Sequence, residues 1–169
     1  MPSRKNVALL AVGFFSVLSA KDLPGLVPPQ RQSATSASAC RSADSAAVVR
    51  VANRFHQILS TGDTTGLNAL LAPDLRVLEG GAVENRRQYL SDRLSADIGF
   101  AKAVKEKRTS FSYTCEGNVA WLVSTSTSTG SFEGRDINSA GAELILLGRT
   151  RKGWQIRAIH WSSARRQSR

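Results

Sequence analysis

The sequence predicts an α+β domain, helices first and a meander of antiparallel strands after them, and three observations predict it. Val48, Val51, Ala52, Phe55, Ile58 and Leu59 recur at helical spacing. From about residue 105 the period changes, and segments 105–115, 119–129, 141–150 and 154–162 are rich in Thr, Ser, Val, Ile and aromatics. Between them lie short glycine-bearing turns, Glu116-Gly117-Asn118 and Arg151-Lys152-Gly153, the mark of antiparallel hairpins, with a longer loop over 130–140. Helices followed by a run of strands place the helices on one face of one sheet. The chain has 169 residues, 41% apolar and 21% charged, which suits one domain with a buried core.

The elements follow in order. Residues 1–20 read as a secretory signal: Arg4 and Lys5, then an uncharged and mostly apolar run over 7–20 that ends in the small residue Ala20. Fourteen residues are too few for a membrane span, which needs about 20. The mature chain is therefore expected to be exported, periplasmic or secreted, with no membrane span. Residues 21–41 hold Pro24, Pro28, Pro29 and a Ser/Ala-rich stretch, and read as a flexible linker. The folded domain runs over 42–163, and 164–169 form a basic tail. Ser42 or Asp44 can cap the long first helix, which Ser60-Thr61-Gly62 closes. Leu67, Leu70 and Leu71 suit a short second helix stopped by Pro73. Residues 75–79 suit a short strand closed by Gly80-Gly81, and 84–100 suit a third helix with Leu90, Leu94 and Ile98 on one stripe.

A formal charge of +10 invites a nucleic-acid reading, but its distribution argues against one. Residues 1–41 carry +4 and the last six carry +3, leaving +3 for residues 42–163. A nucleic-acid face needs positive charge concentrated on the folded part. The densest cluster there, Lys102, Lys105, Lys107 and Arg108, is broken by Glu106 and reads as a solvated strand edge. Two histidines with scattered acids make no metal signature, and no cofactor fingerprint appears, so a cofactor-free and metal-free protein is expected. Cys40 and Cys115 leave two arrangements open, one bridge or two separate thiols.

Certain motifs together carry a resemblance. Ser60-Thr61-Gly62-Asp63, Leu70-Leu71-Ala72-Pro73-Asp74, Val77-Leu78-Glu79-Gly80-Gly81 and the closing Gly153-Trp154-Gln155-Ile156 with Ile159-His160-Trp161 resemble the nuclear transport factor 2-like superfamily. Within it the chain is most similar to exported bacterial members of the SnoaL-like, polyketide-cyclase-like branch. The resemblance implies a cone, a curved antiparallel sheet wrapped around the first helix with a pocket in its mouth. It also implies dimerisation through the outer sheet face. Isomerases, cyclases, dehydratases and purely associating proteins share this fold, so function must be argued from the site. Many relatives carry adjacent histidines on the third helix, where this chain has Asp92-Arg93.

Strict alternation in the last strand puts Trp154, Ile156, Ala158, His160 and Ser162 on one face, read as the inner one. His160 is then the candidate general base, with Glu79 or Glu143 as the carboxylate that orients it. Tyr89 and Tyr113 supply hydroxyls to the ligand, Trp121 and Trp154 apolar walls, and Ser162 a further polar contact. His56, beside the first helix's apolar stripe, reads as a boundary residue. Two functions fit: an exported small-molecule-binding cone, possible cofactor-free proton-transfer catalysis included, or a non-catalytic homodimeric or protein-binding module.

Overall fold

The computed structural model describes residues 40–167. The expected signal segment and residues 21–39 of the expected linker lie outside the described residues. No helix among those described is long and apolar enough to cross a membrane. Helix α1 (Ser42–Thr61) is closed by Gly62, whose φ of 77° lets its N–H reach Ile58 O at 2.8 Å. A single turn, α2 (Leu67–Leu70), leads directly into β1 (Leu71–Glu79). The strand starts earlier than Pro73 suggested. That proline sits between Leu71 and Arg76, where the pairing register shifts and no ladder bond is asked of it.

After β2 (Ala82–Asn85) the chain re-enters helix through α3 (Arg86–Gln88). Asn85 and Gln88 cap it reciprocally, side chain to backbone in both directions. A π-helical turn, Tyr89–Arg93, then passes into α4 (Leu94–Ala103). Three long strands and a fourth complete the chain: β3 (Val104–Glu116), β4 (Val119–Phe132), β5 (Arg135–Thr150) and β6 (Gly153–Arg165). Residues 130–140, expected as a loop, are strand except for a two-residue turn at Glu133 and Gly134. Both take positive φ, 49° and 74°, the twist that lets long strands continue through a tight hairpin.

The strands form one six-stranded sheet in the order β2-β1-β6-β5-β4-β3. Its neighbours are antiparallel except β1 and β6, which run parallel, so the sheet is mixed. Sheet and helices make the α+β cone. Helix α1 lays Val48, Phe55 and Ile58 against Leu122, Ile145 and Ile159 of the inner face, and all of these are buried. Two ties fix α1's start to the sheet. Cys40 is bridged to Cys115 of β3. The buried Asp44 accepts from Arg149 Nη1 at 2.8 Å and from Trp154 Nε1 at 3.4 Å.

One irregularity decides which residues of β6 enter the cone. Leu147 pairs with Ile156, but Leu146 pairs with Ala158, so Arg157 is an extra residue, a β-bulge. Its side chain turns outward over Gly148, where a Cβ would lie 2.5 Å from Arg157 Cδ, and reaches Asp74. Alternation reverses at that point. Trp154 and Ile156 face inward before the bulge; Ile159 and Trp161 face inward after it.

The bridge closes a loop of 75 residues. Replacing Cys115 by Ser is therefore expected to lower unfolding free energy by about 4 kcal/mol on the chain-entropy account. Urea unfolding of both proteins, with and without reductant, measures it; reductant should move only the wild type.

Candidate functional site

The bulge places His160 on the outer face, exposed to solvent, opposite Leu144 and Leu78. The expectation that His160 and Ser162 face the cone is thus corrected: both project outward, because Arg157 consumes one step of the alternation. Trp161 takes the inward place. Glu143 lies directly across from it in β5, and Ser124 lies across from Glu143 in β4. These form one row on the inner face.

Helix α1 completes the site with His56, one residue after the buried Phe55. His56 Nε2 lies 2.9 and 3.1 Å from the two oxygens of Glu143. Trp161 Nε1 donates to Oε2 at 2.8 Å and Ser124 Oγ donates to Oε1 at 3.3 Å. The Phe55 ring stacks on Trp161 with centroids 6.3 Å apart, which fixes the indole beneath the carboxylate. On the far side of the imidazole, Arg108 Nη2 stands 3.2 Å from Nδ1. A guanidinium can only donate, so Nδ1 accepts and the proton of the neutral ring sits on Nε2, pointing at Glu143. The His56 side chain keeps 29% of its surface exposed and that of Glu143 keeps 14%. Burial would raise the Glu143 pKa. The bond from His56, with those from Trp161 and Ser124, outweighs it and holds the carboxyl below its usual value.

Beyond this row the inner face narrows to small groups. Ser126 pairs with Gly141 and Ser128 with Ser139. The Ser-Thr alternation of β4 thus turns serines inward and threonines outward.

A second cluster stands at the other end of the row. Glu79, the last residue of β1, pairs with Arg93, which also faces Glu84 at 3.6 Å and Asp97 at 3.4 Å. Arg93 lies over the Trp161 ring, 5.9 Å from its centroid. Tyr89 is fully buried beside Asp97, and its hydroxyl has no hydrogen-bond partner. Burial, with the neighbouring carboxylates of Asp97 and Glu84, pushes that hydroxyl's pKa well up. Burial likewise raises Asp97, with Arg93 and Tyr89 opposing it.

The remaining sequence candidates lie elsewhere. Trp121 is half-buried on the outer face, so it walls no cone pocket; it shares a strand face with the exposed Val119 and Val123. Trp154 is buried in the core and bonded to Asp44. Tyr113 is 45% exposed on the edge strand and lines a shallow recess with Cys40 and Val49. Among the described residues no group of three or more His, Cys, Asp or Glu is placed to hold a metal ion. Sequence reasoning missed His56 because a histidine one step off an apolar stripe looks like a boundary residue. The available signal was Trp161 and Ile159, two large apolar side chains that strict alternation would have left outside.

Fold and site together define an α+β cone with a carboxylate–imidazole pair on its inner face. No family model matches the chain, and no curated protein matches it. Solved structures do. A candidate ketosteroid isomerase from Shewanella frigidimarina is 29% identical with a TM-score of 0.65, covering 69% of this chain and 94% of that one. A candidate dehydratase of the NTF2-like family from Streptomyces avermitilis is 15% identical with a TM-score of 0.60, covering 72% and 97%. A CaMKII hub from S. rosetta is 14% identical with a TM-score of 0.55, covering 70% and 95%. The chain thus has the cone fold of the nuclear transport factor 2-like proteins.

The two buried carboxyls should answer pH in opposite directions. Glu143, with a folded pKa below its ordinary 4.5, adds stability that is complete above that value and lost as pH falls through the folded one. Asp97, raised above its ordinary 3.8, adds stability only below that value and loses it as pH rises. Glu143→Gln is therefore expected to cost about 1–3 kcal/mol at pH 7, since Trp161 and His56 lose an acceptor, and the cost should shrink below pH 4.5. Asp97→Asn should not lower stability at pH 7. Urea unfolding at pH 7 and in acid distinguishes the two.

Proposed function

We propose that the cone binds a small, partly apolar molecule beside His56 and moves a proton on it without a cofactor, in the manner of an isomerase, cyclase or dehydratase. The observation that carries this reading is the part-buried Glu143 carboxylate holding the partly exposed His56 ring in one tautomer. With Nε2–H fixed to Glu143, Nδ1 presents the lone pair. Nδ1 takes a proton from carbon beside a carbonyl, and the electron pair moves into the carbonyl to give an enolate. The imidazolium, balanced by Glu143, then returns the proton at the same or another carbon. The Shewanella relative is described as a candidate ketosteroid isomerase, which supports isomerase-type chemistry. The apolar run over residues 7–20 and the Cys40–Cys115 bridge both support an exported protein in an oxidising compartment.

Exchange of α-protons in D2O, followed by proton NMR on a panel of enolisable ketones and keto acids, tests the reading. A folded His56→Ala variant is expected to exchange about 10²–10⁴-fold more slowly, and His160→Ala at the wild-type rate. Equal rates for His56→Ala and wild type would sink it.

A second reading rests on the outer face. Val123 and Leu144, each 41% exposed, are direct partners across β4 and β5, with Trp121 and Leu146 in the next row. Such a patch suits a two-fold homodimer, in which the same surface meets itself. Light scattering should give twice the chain mass for the wild type and a single mass for Leu144→Asp. A wild type monomeric at about 50 µM, above the micromolar dissociation constants of weak specific pairs, ends this reading.

A further inference from the structure

We propose that the molecule bound in the cone is an organic anion, and that Arg108 both recognises it and uncovers the base. The inference rests on the reading of His56 as the proton-transfer group and adds the class of its substrate.

Glu143 is engaged on both oxygens before any ligand arrives. Oε1 accepts from His56 and Ser124, and Oε2 accepts from His56 and Trp161. It is a positioning residue. Nε2 of His56 is committed to Glu143, so Nδ1 is the imidazole's one basic atom. Arg108 covers it.

A neutral ligand that displaces that guanidinium offers it at most an uncharged carbonyl oxygen in exchange. A carboxylate offers it more. Paired N–H···O⁻ bonds between a guanidinium fork and a carboxylate are charge-assisted and stronger than a bond to a neutral imidazole nitrogen. Arg108 is also unclaimed. Arg93 is surrounded by Glu79, Glu84 and Asp97, whereas among the described residues Arg108 has no carboxylate partner. It is exposed, lies over the Phe111 ring at 5.2 Å, and stands where the β3–β4 register shifts, between Arg108 and Ser110. A modest rotation about its long side chain frees Nδ1.

The charges then favour the reaction. Before binding, Glu143 and Arg108 balance each other around a neutral ring. After proton transfer the imidazolium has Glu143 on one side and the ligand anion, held by Arg108, on the other. A nearby anion favours the charged imidazole, so binding raises the basicity of the atom it exposes. Phe111, 41% exposed beneath Arg108, and the part-buried Trp161 supply apolar surface on this side of the site. The ligand class is a carboxylate with an apolar body and an enolisable carbon.

The test uses 3-benzoylpropionate and its methyl ester, one skeleton with and without the negative charge. Binding is read from the ¹⁵N signals of the His56 ring and catalysis separately from α-proton exchange in D2O. The acid is expected to bind saturably, shift the Nδ1 signal, and bind at least about tenfold tighter than the ester, as one charge-assisted bond lost or gained implies. Arg108→Gln should abolish that preference, and Arg108→Lys should restore part of it. Equal affinity for acid and ester, an undiminished preference in Arg108→Gln, or no saturable shift with the acid would each overturn the proposal. An Arg108-dependent preference accompanied by equal exchange in wild type and His56→Ala would instead keep the anion site and remove His56 as base.

Discussion

The arrangement of the cone depends on a residue that cannot enter it. Arg157 lies between Ile156 and Ala158 in the central β6, and a guanidinium in an apolar interior would carry a desolvation cost of several kcal/mol. The strand accommodates it as a bulge, with the side chain laid over Gly148 and paired to Asp74. The consequence is topological. Every residue after Arg157 changes face, so Ile159 seals the core, Trp161 reaches Glu143, and His160 goes to solvent. Without that step Glu143 would face no indole donor and His56 would have a differently held carboxylate.

Trp161 in turn joins the two polar clusters. Its indole N–H anchors Glu143 while Arg93 lies over its ring. The two clusters differ in how completely their charges are answered. Around Glu143 burial is outweighed by three donors, His56, Trp161 and Ser124, and its pKa falls. Around Arg93 one cation faces Glu79, Glu84 and Asp97; burial, with the charge of Glu84, raises Asp97 against the pull of Arg93, and buried polar atoms stay unpartnered. The π-helical turn Tyr89–Arg93 brings Tyr89 and Arg93 to this place, an irregularity that often accompanies functional sites. Arg93 is therefore committed to carboxylates, and the imidazole of the cone comes from α1.

The parts of this architecture legible in the sequence are those written in local periods. The stripe from Val48 to Leu59, the hairpin turns at Gly117 and Gly153, and the closing motifs around Trp154 lead to the right class and fold. The parts not legible depend on pairing between distant segments. The parallel contact of β1 with β6 joins residues more than eighty positions apart. The extension of β5 back to Arg135 runs through Asn138, Ser139 and Gly141, residues with little preference for strand. The face of His160 depends on whether one arginine is counted in the ladder or out of it. Period 2 holds only where a strand has no bulge, and a charged residue between Ile156 and Ala158 in a core strand marks where one forms.

What distinguishes the site, finally, is the division of labour among three groups on three elements. Glu143 on β5 is engaged on both oxygens by His56, Ser124 and Trp161; His56 on α1 is held in one tautomer between it and Arg108; Arg108 on β3 is exposed and, among the described residues, has no carboxylate partner. A carboxylate that also had to bind a ligand would lose donors as the ligand arrived, and the imidazole would lose its orientation when the proton moved. Burying the carboxylate beneath Trp161 and Ser124 avoids that conflict. The cost of burial is met by fixed donors rather than by the ligand. The exposed edge strand is then the natural location for the remaining cation, since only there can a side chain leave its resting contact without opening the core.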